Sequence, residues 1–261
     1  MALVALFVFA SCKKNTGVTN QPYEAYGTPA NKGQLKVNLA FAYAIDYANL
    51  RIKLNGAYVS NLLQSRTPFP GGGFNTRGSN FALYMSVPLG SNAVSIVMPK
   101  FGTNVDSVVL FSTNVNITDN TPQTLHLTDT AANMKSVLVR NNINNIADGM
   151  CRFNFVHLMP NVPAVDLYLN GVLMRANIPY LGASGAMDIP VGINAPGFVS
   201  GATTIWAVRA AGATSTSAAL VSFASASGLI SGAALTGFCM GYSGATGARL
   251  PFLAMTLDKN Q

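Results

Sequence analysis

The chain has 261 residues, nearly half of them hydrophobic and a tenth charged, which supplies apolar material for buried cores and excludes an intrinsically disordered chain. Sixteen Lys and Arg against nine acids give a formal charge of +7. Only Lys13 and Lys14 adjoin, and without a basic stripe or aromatic stacking platforms nucleic acid is not an expected partner. At about 100 to 200 residues per domain, the length fits two modest domains.

The N-terminus reads "MALVALFVFASCKKN". Its apolar run, residues 2–10, is far short of the roughly 20 residues of a membrane-spanning helix and has the length of a signal-peptide hydrophobic region. The small residues Ala10 and Ser11 before Cys12 resemble the lipobox of bacterial lipoproteins, with Phe9 where a leucine is usual. That resemblance implies a signal peptide over residues 1–11 and a lipidated Cys12 as the first mature residue. Membrane contact would then run through the lipid, two or more acyl chains contributing about 0.8 kcal/mol per buried methylene. The competing reading is a buried first strand with an incidental cysteine. Residues 12–33 show neither alternating nor helical apolar spacing and read as a flexible tether, spanning roughly 25 Å on average.

From residue 34 the pattern changes to strands. "QLKVNLAFA" alternates Leu35, Val37, Leu39 and Phe41, and "ANLRIKLNGAYV" alternates Leu50, Ile52 and Leu54 before Asn55-Gly56. Asn-Gly between alternating runs predicts a hairpin, because both residues accept the positive φ of a type I′ turn. Further short runs follow: "FALYMSVPLG", "NAVSIVMPK", "DSVVLFSTNVNI", "QTLHLTD" and "KSVLVRN". About eight short strands at even spacing predict a sandwich. Between the hairpin and "VPLG", residues 67–80 ("TPFPGGGFNTRGSN") read as an exposed, flexible loop.

The second half repeats this order. "CRFNFVHLMP" stands for "LKVNLAFAYA", "VDLYLNGVLM" for "LRIKLNGAYV", "DIPVG" for "SVPLG", "TTIWAVRAAG" for "AVSIVMPKFG", and "LPFLAMTLDKN" for "MKSVLVRNNIN". The expected architecture is therefore all-β: two tandem immunoglobulin-like antiparallel β-sandwich domains after a lipoprotein signal and flexible tether. The first covers residues 34–145 and the second residues 146–261. The stretch "RFNFVHLMPNVPAVDLYLNG", residues 152–171, resembles the opening of the family of unknown function numbered forty-three ninety-seven, found in bacterial secreted proteins and lipoproteins, notably of Bacteroidota. The resemblance extends from Cys151 to the final "LPFLAMTLDKN", and the first copy is its diverged counterpart. It implies a β-sandwich on an exported protein and carries no activity with it.

Candidate chemistry is sparse. His126 and His157 stand at unlike positions of the two copies, so spacing spells out neither a triad nor a metal cluster, and no cofactor is expected. Cys151 and Cys239 lie in different strands of the second copy, where an exported protein can bridge them; the alternative is two buried free thiols. Trp206 reads as core more readily than as a sugar platform. Phe69, Phe74 and Tyr180 are the candidate ligand-loop aromatics. The expected function is a non-catalytic, membrane-anchored lipoprotein of the bacterial cell envelope, on the outer membrane, with a structural or adhesion role toward an envelope protein. The alternative is a glycan-binding surface lipoprotein of a nutrient-uptake system.

Overall fold

The computed structural model describes residues 31–41, 50–225 and 229–260, so the signal, Cys12 and nearly all of the expected tether lie outside the described residues. The first half contributes β1 (Lys32–Leu39), β2 (Arg51–Leu54), β3 (Ala57–Tyr58), β4 (Pro68–Phe69), β5 (Gly73–Phe74), β6 (Met85–Pro88), β7 (Gly90–Pro99), β8 (Asp106–Ile117), β9 (Pro122–Thr128) and β10 (Lys135–Arg140). The second contributes β11 (Met150–Leu158), β12 (Ala164–Leu169), β13 (Val172–Pro179), β14 (Met187–Pro190), β15 (Ile205–Ala210), β16 (Val221–Ala224), β17 (Ala234–Met240) and β18 (Phe252–Lys259). No helix among the described residues is long and apolar enough to cross a membrane.

These strands form four sheets, and the same pairing occurs twice. An outer sheet β3-β2-β7-β8 faces an inner sheet β10-β9-β1-β4, in which β6 also pairs with β1. An outer sheet β13-β12-β15-β16 faces an inner sheet β14-β11-β17-β18-β5. The two Asn-Gly turns open the matching hairpins: Asn55 and Gly56 have φ of 50° and 84°, Asn170 and Gly171 of 49° and 80°. The pairing is antiparallel except at the centre of each inner sheet, where β1 runs parallel to β9 and β11 parallel to β17. Parallel neighbours need a long crossover, and here the crossover is the rest of the sandwich.

Period-two alternation explains how the layers stack. In β1, Leu35, Val37 and Leu39 enter the core of the first sandwich with Ile52, Val94, Ile96 and Leu125. The second sandwich has its own core around Phe153, Phe155, Leu167, Trp206 and Met255. The opposite faces of the inner sheets are buried as well. Ala40 and Val139 meet Val156, Leu158, Phe238, Met240 and Ala254 in a third apolar layer. All seven residues of β9 and all seven of β17 are buried, as central strands covered on both faces must be. The molecule is thus four sheets deep, and the two sandwiches stand back to back.

The loop expected to be free at residues 67–80 straps the two inner sheets together. Phe69 in β4 pairs with Val37 of β1, whereas Phe74 in β5 pairs with Met255 of β18. The glycines permit this crossing, since a Cβ on Gly73 would fall 2.2 Å from the Met255 carbonyl oxygen. Gly73→Ala should therefore push β5 off the β18 edge and cost about 1 to 3 kcal/mol, as overpacking does. Urea unfolding of the variant beside the parent chain measures it, and equal midpoints would mean that the strap contributes nothing.

Candidate functional site

Lys36 alternates with Leu35 and Val37, so its side chain must leave the first core and enter the layer between the sandwiches. It is fully buried there. Its Nζ donates to Thr256 Oγ1 at 2.9 Å and to the Leu257 carbonyl, stands 3.5 Å from Asp258 Oδ1, and lies 4.5 Å from the centre of the Tyr84 ring. Asp258, also buried, receives further donors from both halves of the chain. Asn141 Nδ2 at 3.0 Å and the Tyr84 hydroxyl at 3.1 Å donate to Oδ1, and the Thr236 hydroxyl donates to Oδ2 at 2.5 Å. Asn141 Nδ2 is also 2.8 Å from Thr124 Oγ1.

Burial dominates the charge states. It lowers the Lys36 amine against the pull of Asp258, and it raises the Asp258 carboxyl against the pull of Lys36. Tyr84 is pushed well above the ordinary phenol range by burial, then by the Asp258 charge. The strand registers make the cluster pseudo-symmetric. Lys36 lies across from Thr124 and that from Val139, just as Asn154 lies across from Thr236 and that from Thr256. Lys36 thus corresponds to Asn154, and Asn141 to Asp258, so equivalent positions of the two copies touch.

A cleft of about 440 Å³ opens beside this cluster, lined among others by Asn141, Arg152, Asn154, Thr236 and Asp258. Arg152 closes one side. Its Nε and Nη2 grip the Asp188 carboxylate at 2.7 and 2.8 Å, while Nη1 donates to Asn142 Oδ1 at 3.1 Å. The junction between the halves is thereby fastened to β14.

The cysteines do not meet. In the parallel β11 and β17 pair, Cys239 lies across from His157, six positions along from Cys151, or about 20 Å at 3.3 Å per residue. A bridge needs Cα atoms within about 7 Å, so the disulfide weighed from sequence gives way to two buried free thiols. Cys239 Sγ instead stands 3.4 Å from His157 Nδ1, which also accepts from the Met159 amide at 3.3 Å, while Nε2 donates to the Val162 carbonyl at 2.8 Å. That arrangement fixes one neutral tautomer. Burial pushes the Cys239 thiol up to about 12 and the Cys151 thiol up to about 11, leaving neither poised as a nucleophile. His126 is held through Nδ1 by Asn38 Nδ2 at 3.0 Å. Among the described residues no group of three or more His, Cys, Asp or Glu is placed to hold a metal.

The ligand-loop aromatics face different ways. Phe69 packs against the first core and Phe74 against the second, and Tyr180 lies edge-on to His157 at 6.0 Å. Trp206 is buried and stacks on Phe153 at 4.1 Å. Phe81, Phe101 and Phe198 are exposed among the described residues, and the most exposed of them is Phe101, at the tip of the β7–β8 hairpin, with Leu62 and Val105 exposed beside it. It crowns a cleft of about 1010 Å³ lined by Arg51, Asn61, Leu62, Lys100 and Asn104. Arg51 is ordered there, stacked 4.1 Å over Tyr58 and bonded to Asn104 Oδ1 at 2.7 Å. A phenylalanine inside the turn signal "PKFGTN" was the available clue to this tip.

The chain is similar, over residues 75–168, to a domain of unknown function (DUF4397). The matched stretch begins beside β5 and ends at Tyr168 in β12, so it includes "RFNFVHLMPNVPAVDLY" but straddles the junction instead of following the second copy to its end. No curated protein matches the chain.

Burial lowers the pKa of His126 to about 3 from 6.5, with the Lys36 charge adding to it. Between those values the unfolded chain binds a proton that the folded chain refuses, so stability is full above about pH 6.5 and falls as pH drops toward 3. His157 is lowered too, by burial. In His126→Gln the loss between pH 6.5 and 4 should shrink without vanishing, which urea midpoints across that range would measure.

Proposed function

We propose that this chain is a non-catalytic lipoprotein of the bacterial cell envelope, held to the outer membrane through lipid on Cys12 and serving a structural or adhesion role. The observation that carries this reading is polarity along the stack. The Leu89 amide is bonded at 3.4 Å to the carbonyl of Asn31, a residue of the expected tether. From there β7, ten residues long, runs about 33 Å to the far end, where Phe101 is exposed. A tether entering at one end would present that hairpin tip away from the membrane. The proposed lipid anchor is tested by Cys12→Ala in a host that processes lipoproteins. Labelling with a fatty-acid probe should disappear and the protein should leave the detergent phase; retained labelling would defeat the lipobox reading.

A second reading, glycan binding for nutrient uptake, is favoured by the same tip. An exposed aromatic face beside Asn61, Asn104 and Arg51 offers a stacking platform with amide and guanidinium donors. If it is right, Phe101→Ala should lose most glycan-array signal while unfolding at the parental urea midpoint. Absence of signal from the parent chain would remove this reading and leave the anchor reading standing.

A further inference from the structure

We infer that Lys36 and Asp258 are partners for a spontaneous amide bond that joins the first strand of the stack to the last. The two side chains project from facing sheets, which lie about 10 Å apart, and together they span that gap, with Nζ already 3.5 Å from Oδ1. Both residues are almost wholly enclosed, at 0% and 4% exposure.

The reaction is a condensation of an amine with a carboxylic acid. The Nζ lone pair attacks Asp258 Cγ, one Nζ proton passes to Oδ2, the Cγ to Oδ2 bond breaks, and water leaves. No oxidant, nucleotide or metal is consumed. It requires the neutral amine and the protonated acid, the forms toward which burial moves Lys36 and Asp258. The surroundings supply the remaining parts. Asn141 Nδ2 and the Tyr84 hydroxyl, at 3.0 and 3.1 Å from Oδ1, are placed to stabilise charge that develops on that oxygen as Nζ adds. Thr236 holds Oδ2, the leaving oxygen, at 2.5 Å. Thr256 Oγ1 and the Leu257 carbonyl orient the amine. The cleft that reaches Asp258 gives the departing water a way out. Positioning of this kind substitutes for activation, because reactants held side by side have a very high effective concentration.

The test is peptide mass mapping of the full chain, folded at neutral pH and then digested with trypsin. The expected product is a branched peptide joining residues 33–51 to residues 250–259, lighter than their sum by one water, and it should be absent from Lys36→Arg. Recovery from the folded parent chain of residues 33–36, 37–51 and 250–259 only as separate peptides would overturn the inference and leave an unlinked pair. A link to Asn141 with loss of ammonia would overturn it as well, because Asn141 would then be the electrophile and not a donor to Oδ1.

Discussion

Burying a lysine and an aspartate together between two sheets constrains everything else in this molecule. Taking both out of water as ions would cost several kcal/mol each, and even as neutral groups they need good geometry and further hydrogen bonds to offset their lost hydration. Those bonds are distributed across both halves: Asn141 and Tyr84 come from the first, Thr236, Thr256 and the Leu257 carbonyl from the second. A shift of one residue in the register of one inner sheet against the other would strand a charge. The apolar residues around Phe238 and Val156 supply attraction between the layers, but apolar contact is indifferent to register. The polar cluster is what selects one alignment.

The pseudo-symmetry of that cluster explains how two halves with the same strand pairing fit back to back. A face carrying Lys at the Lys36 position in both copies would place two cations in one layer, and Asp at both of the facing positions would place two anions there. Instead the first copy has Lys36 and Asn141, and the second has Asn154 and Asp258. One amine meets one carboxyl, and amides fill the equivalent places. Asn154 turns to its own half, accepting from the Ser184 hydroxyl in the β13–β14 connection at 3.2 Å. The difference between the two halves at these positions is thus what lets their faces pack.

The strands were legible because their apolar positions alternate and their turns carry Asn-Gly. The strand correspondences read from "LRIKLNG" with "VDLYLNG" and from "AVSIVMPKFG" with "TTIWAVRAAG" are the correspondences of the sheets, β2 with β12 and β7 with β15. What alternation could not reveal was the destination of the other face. Lys36 and Asn38 in "QLKVNL", or Asp258 in "MTLDKN", look like residues turned to solvent, and only a second sheet packed over them makes them interior. Partnering of that kind depends on contacts more than two hundred residues apart, to which local pattern is blind. The strap was hidden for a related reason: "PGGGF" signals backbone freedom, and freedom serves a close crossing as well as an exposed loop. Phe101 escaped because an aromatic in a turn gives no periodic signal.

Where a folding unit ends also differs from where the repeat ends. A chain cut near Asn145 would keep β11 to β18 and the core around Trp206, yet it would lose β5 from the edge of β18 and uncover Val156, Leu158, Phe238 and Asp258. Phe238 alone, fully buried, represents about 2 to 3 kcal/mol of apolar burial, and Asp258 would be left without its cation. The similarity to a domain of unknown function crosses the same junction, from residue 75 in the strap to residue 168 in the second sandwich. The middle layer belongs to neither half, so the stack of four sheets, and not either sandwich alone, is what keeps these residues buried.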